Sequence, residues 1–66
     1  MPELSKLKGR IREKGSNYRD ISKEIGMSLS AFNDKMNGRT AFDIVEASKV
    51  AAILDISPEN IAYFFT

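Results

Sequence analysis

The chain has no cysteine, no histidine, no tryptophan and only two prolines in 66 residues. Without cysteine there is no disulfide framework and no thiolate metal site. Without histidine the commonest general base and the other usual zinc ligand are missing too. There is no glycine-rich phosphate loop and no metal-ligand spacing, so the sequence implies no catalytic residue, no cofactor and no small-molecule substrate. Asp20 and Glu24 stand four apart, but Lys23 is adjacent, and the pair reads as a solvated helix face. No apolar run approaches the roughly 18 residues of a membrane span, and no signal peptide is visible. The expected setting is therefore the cytoplasm, and the protein is expected not to be an enzyme.

What is present is a short, charged, helix-forming chain. Sixty-six residues make one domain, residues 1–66, that buries only about 60% of its unfolded surface, so its stability is modest and a partner helps. The net charge of +1 conceals a division. Residues 1–39 carry nine Lys/Arg and five Asp/Glu, a balance of +4; residues 40–66 carry Lys49 against Asp43, Glu46, Asp55 and Glu59, a balance of −3. Taken singly, such charges are solvated helix faces. Divided between the halves, they give a polarised molecule with one basic end.

The apolar spacing predicts five helices. Leu4, Leu7 and Ile11 make one stripe on a first helix, with Lys6, Lys8, Arg10, Arg12 and Lys14 on its other faces and Gly15 as its stop. Gly9 inside it marks either a close approach by another helix or simple tolerance. Asn17 caps a second helix, with Asp20 in a capping-box-like position and Ile21 and Ile25 facing inward. Gly26 ends it, because glycine turns left-handed without a Cβ penalty. Ser28 caps a third helix over roughly 29–37, with Met27 and Phe32 placed as a hydrophobic staple and Gly38 as its end. Asp43 and Glu46 form a capping box for a fourth helix, whose expected buried face is Ile44, Ala47, Val50, Ala51 and Leu54. Val45, Ala52 and Ile53 remain over. Ser57-Pro58-Glu59 opens a last helix, with Ser57 as cap and Ile56 ready to staple onto Ile61; it closes on Tyr63-Phe64-Phe65-Thr66.

Residues 18–38 organise the rest. Two short helices joined by a glycine corner, the second with a polar outer face, form a helix-turn-helix pattern. Ile21-Ser22, Ile25-Gly26-Met27-Ser28, Phe32 and Asn37-Gly38 resemble the Cro/C1-type (XRE) helix-turn-helix family, and the likeness extends over nearly the whole chain. Lys35-Met36-Asn37-Gly38-Arg39, Phe42 and the closing aromatics look most like small phage Cro or repressor proteins. The resemblance implies an all-α, compact five-helix, lambda-repressor-like domain with the helix-turn-helix at helices 2 and 3. It leaves a terminal strand open as an alternative, since some Cro proteins have switched there.

The resemblance also implies site residues. Leu29, Ser30, Asn33 and Asp34 match the positions that read bases. Asn33 suits adenine N6 and N7; Leu29 departs from the usual polar residue and suits only a thymine methyl; Asp34 would have to accept from cytosine N4. Asn17, Tyr18, Asn37, Arg39 and Thr40 match the phosphate-contacting positions. Ser28 adds free backbone N–H groups at a helix start, and Arg19 and Lys35 are further phosphate partners by charge. Neighbours on a helix point about 100° apart, so Tyr63, Phe64 and Phe65 cannot all face inward. With Val45 and Ile53 they suggest a homodimer interface; the other reading is that they close over the domain's own core. The implied function is a sequence-specific regulator that binds operator double-stranded DNA as a dimer and occludes a promoter. Leu29, Asp34 and the low net charge support an alternative, a protein-interaction module or antirepressor that keeps the fold without strong DNA binding.

Overall fold

Four successive helices end with the same left-handed turn, and these turns fold the chain back on itself. The computed structural model describes residues 3–65. In it α1 spans Ser5–Glu13, α2 Tyr18–Glu24, α3 Leu29–Met36 and α4 Ile44–Ile53; a 3₁₀ turn, Pro58–Asn60, leads into a short α5, Ile61–Phe64. All regular structure among the described residues is helical, so the terminal segment is a helix and not a strand. Thr66, where the sequence reading closes that helix, lies outside the described residues. No helix among the described residues is long and apolar enough to cross a membrane.

After α1, α2 and α3 the left-handed residue is Gly15, Gly26 or Gly38, and after α4 it is Asp55, with φ of 68°, 75°, 82° and 55°. In each case the following N–H bonds back across the turn, from Ser16 to Ile11, Met27 to Ser22, Arg39 to Asp34 and Ile56 to Ala51, at 2.8 to 3.0 Å. These bonds satisfy carbonyls that the helix leaves open. A Cβ on Gly26 would meet nothing within 4 Å. Gly26→Ala therefore acts through backbone strain alone and should cost about 1 kcal/mol. A Cβ on Gly9 also meets nothing within 4 Å, which settles that glycine as tolerated. Gly9→Ala should raise stability by about 1 kcal/mol. Thermal melts of the two variants should move in opposite directions.

Asp55 stands where the other three helices use glycine, and basic side chains of α1 hold it there. Lys14 Nζ lies 2.6 Å from Asp55 Oδ2. Arg10 donates through Nε to the Leu54 carbonyl at 2.9 Å and through Nη2 to the Asp55 carbonyl at 3.3 Å. Cations thus sit at the negative end of α4. The hydrogen bond and charge of Lys14, with Arg10 adding to them, hold the Asp55 carboxyl below its ordinary range. The unfolded chain takes up that proton first as pH falls. The contribution is present above the ordinary carboxylate range and is lost as pH drops through the lowered folded-state value. Melts followed from neutral into acid should show a shallower loss for Asp55→Asn than for the wild type.

The helix starts follow the sequence with two exceptions. Asn17, Ser28 and Asp43 accept from the N–H of Asp20, Ala31 and Glu46, and Glu46 returns a bond to complete the box at α4. Asp20 does not complete a box; its carboxylate takes the side-chain amide of Asn17 at 3.2 Å. Ser57 does not cap a helix N–H. Its carbonyl accepts from Asn60 N in the 3₁₀ turn and its hydroxyl accepts from the Asn60 amide at 3.0 Å.

The core gathers Leu7 and Ile11 from α1, Ile21 from α2, Phe32 and Met36 from α3, Val50, Ala51 and Leu54 from α4, and Ile56. Ile25, Met27 and Ile61 pack half-buried against it. Phe32, fully buried, stands within an edge-on aromatic chain: Tyr18 to Phe32 at 5.3 Å, Phe32 to Phe42 at 5.6 Å, Phe42 to Phe65 at 5.4 Å. Phe65 is thereby packed against its own domain, as are the half-buried Phe64 and Ile53, so these three expected interface residues spend part of their surface on the domain's own core. Ile44, expected in the buried face of α4, is instead 85% exposed. It is the first residue of the helix, and its Cβ tilts back past the helix start, where no preceding turn covers it. Val45 and Tyr63 remain exposed, and the Lys6 ammonium lies 4.6 Å above the Tyr63 ring.

Candidate nucleic-acid interface

The corner between α2 and α3 is built by burying one side of each helix. Ile21 and Ser22 are buried on α2, and the Ser22 hydroxyl donates to the Arg19 carbonyl at 2.9 Å, so the buried oxygen is satisfied. A small, satisfied side chain at that position lets another element approach closely. Phe32 and Met36 bury the inner side of α3, and the connection through Gly26 carries the chain from one helix to the next.

With Phe32 and Met36 inward, helical geometry turns Ser30 and Asn33 outward, while Leu29 shares the stripe of Phe32 and Met36 and is open to solvent as the first residue of the helix, with no preceding turn to cover it. All three are exposed, as is Ser28. Among the described residues the side chains of Ser30 and Asn33 make no hydrogen bond. They are polar groups with open donors and acceptors on a helix face that the core holds rigid. Leu29, 41% exposed, adds an apolar spot beside them. Asp34 and Asn37 are half-buried at the margin, and Asn37 is the C-cap of α3.

The charges around this face are arranged differently from expectation. Lys35, read from the sequence as a phosphate partner, is turned inward and only 16% exposed at its side chain. Its ammonium donates to the Ala41 carbonyl at 2.9 Å and lies 3.5 Å from Glu46 Oε1. It is a strut between α3 and the start of α4. Arg39 and Asp34, read as a phosphate and a base contact, face each other: Nη1 to Oδ1 is 3.0 Å. The turn after α3 brings them together, since Arg39 N also bonds to the Asp34 carbonyl at 2.9 Å. This ion pair is solvated and adds little to stability, but it leaves the end of α3 with no net charge. Thr40 is exposed beside it.

Cations without an ion pair among the described residues lie on α1 and α2, with Lys49 on α4. Arg12, Arg19 and Lys23 have no ion pair among the described residues. Arg19 and Lys23 are one turn apart on α2 and exposed. Asn17 uses its side chain to cap α2, and Tyr18 packs its ring on Phe32. Burial, and after it the charge of Glu3, push the Tyr18 hydroxyl above its ordinary pKa, with Arg12 opposing, so it remains a neutral donor at physiological pH. The sequence reading named Arg19, Asn17 and Tyr18 here but did not single out Arg12 and Lys23. Helical spacing alone shows that they are polar, not that they lack partners.

No curated protein and no solved structure matches the chain. A family model matches over residues 2–66. The chain accordingly belongs to the family described as "Protein of unknown function (DUF739)".

Proposed function

We propose that the protein is a sequence-specific double-stranded DNA-binding regulator of the Cro/C1 helix-turn-helix type, with α2 and α3 as the two helices of the motif. The observation that carries this reading is the outward face of α3. Ser30 and Asn33 stand exposed with unused hydrogen-bonding groups, locked in place by the buried Phe32 and Met36. Asn33 offers the amide that pairs with adenine in a major groove, and Leu29 offers contact to a thymine methyl. One copy carries a single α3, so reading two half-sites about 34 Å apart takes two copies. Operator binding therefore uses two copies, with Val45 and Tyr63 the most exposed of the interface candidates. Binding in the cytoplasm would act by covering a promoter.

A salt titration against duplexes selected from a random pool tests the reading. Affinity should fall steeply with salt, as it does for any protein that displaces phosphate counterions. Flat salt dependence, or equal affinity for selected and random duplex, would refute it.

The second reading, a protein-interaction module, is favoured by one observation: both cations at the end of α3 are occupied by carboxylates. Asp34→Asn discriminates. On the DNA reading it frees Arg39 for a phosphate, so affinity for every duplex should rise about tenfold at low salt, with a salt slope steeper by about one. A variant that stayed without duplex affinity at low salt would favour the interaction module. A variant that lost preference at a single C·G pair would instead show Asp34 reading cytosine.

A further inference from the structure

An open cleft between α1 and the start of α2 has no role in the base-reading face. It measures about 420 Å³ and is lined by Lys8, Ile11, Arg12, Ser16, Asn17 and Tyr18. Lys8 and Arg12 are one helical turn apart, so both cations project on the same side of α1. Arg12 is exposed and has no ion-pair partner among the described residues. Lys8 has Glu3 at 3.8 Å, a loose contact between partly exposed groups that competes weakly. The hydroxyls of Ser16 and Tyr18 make no hydrogen bond among the described residues, while the Asn17 side chain is already used on Asp20. Beneath these groups Ile11 is buried. The cleft thus collects a guanidinium, an ammonium and two hydroxyls, with two carboxylates at its edge: Glu3 beside Lys8 and Asp20 on the Asn17 amide.

We propose that this cleft is a phosphate-binding site, with Arg12 as its principal ligand and Lys8, Ser16 and Tyr18 as supporting donors. A guanidinium presents paired N–H groups that match two phosphate oxygens, and the hydroxyls supply short neutral donors to the others. The site does not depend on the DNA reading; only the source of the phosphate does. If the protein binds duplex, the ligand is a backbone phosphodiester gripped on the α1 side of the reading helix. The sequence expectation already put phosphate contacts at Asn17 and Tyr18, with cationic ones at Arg19, Lys35 and Arg39; Lys35 and Arg39 are occupied by carboxylates, and the cleft adds Lys8 and Arg12 beside Tyr18.

The test compares the full chain with the double variant Lys8→Gln, Arg12→Gln, whose two side chains lie outside the core. In one arm, inorganic phosphate is titrated while the amide resonances of Ser16, Asn17 and Tyr18 are followed by NMR, with matched chloride as control. Wild type should shift at these amides and the variant should not. In the other arm, selected duplex is bound over a range of salt. The variant should lose about tenfold in affinity at low salt and reduce the salt slope by about one to two, with base preference unchanged. Wild type that answers to phosphate but not to duplex leaves the site standing, with a free phosphate as ligand, and removes the DNA reading. Wild type and variant alike in both arms overturn the site, whatever the chain does with DNA.

Discussion

Phe32→Ala is expected to leave the chain largely unfolded at room temperature. Phe32 is fully buried and touches edge-on the rings of both Tyr18 and Phe42. Removing such a side chain costs about 3–5 kcal/mol through lost transfer energy and the cavity left behind. Each aromatic pair adds about 0.5–1.5 kcal/mol beyond area. At about 0.05–0.15 kcal/mol per residue, a 66-residue domain has roughly 3–10 kcal/mol in total, so one substitution removes most or all of it. The helical circular dichroism signal should be weak before heating, without a cooperative transition. Phe32→Leu keeps most of the volume and loses the ring contacts, and should melt cooperatively after a loss of about 1–3 kcal/mol. A Phe32→Ala protein melting within a few degrees of the wild type would mean that the core is not centred on this ring.

Asn33→Ala is expected to have the largest effect on recognition with none of that damage. The Asn33 side chain is exposed and bonds to nothing among the described residues, and alanine is the better helix former. Stability should hold or rise by a few tenths of a kcal/mol. Affinity for the selected duplex should fall by about 1–3 kcal/mol, preference at one base pair should relax, and affinity for random duplex should stay as it was. Arg39→Ala should differ in kind, weakening selected and random duplex alike. Selection of bound sequences with each variant reads both outcomes. If Asn33→Ala left the preferred sequence unchanged, α3 would not be the reading helix, and the proposal would lose its main support.

These expectations differ in how far they were visible without coordinates. The caps at Asn17, Ser28 and Asp43, the stops at Gly15, Gly26 and Gly38, and the inward Ile21, Phe32 and Met36 were all legible in the chain. Each depends on residues within about one helical turn of one another, where spacing and side-chain chemistry leave few options. Ser57 stands at the N-cap position the same rule gives it, with Pro58 next, but the helix it opens is a 3₁₀ turn and its hydroxyl takes the Asn60 amide instead of a backbone N–H. The stop at Asp55 was not legible at all. Aspartate is one of the few non-glycine residues that tolerates a left-handed turn, and here Lys14 and Arg10 also reach it from 41 to 45 residues away.

The sequence by itself determined the helices, the direction in which α3 turns its polar face, and an excess of positive charge in the first 39 residues. Only the tertiary structure decided which of those charges remain available. Packing places Glu46 against Lys35, the turn after α3 brings Asp34 to Arg39, the end of α4 takes up Arg10 and Lys14, and Glu3 stands by Lys8, while Lys6, Arg12, Arg19 and Lys23 are left without an ion pair among the described residues. The reason is range. A cap or an apolar stripe is satisfied within one turn of helix, whereas an ion pair depends on where distant helices come to rest, and nothing in the local spacing of charges encodes that distance.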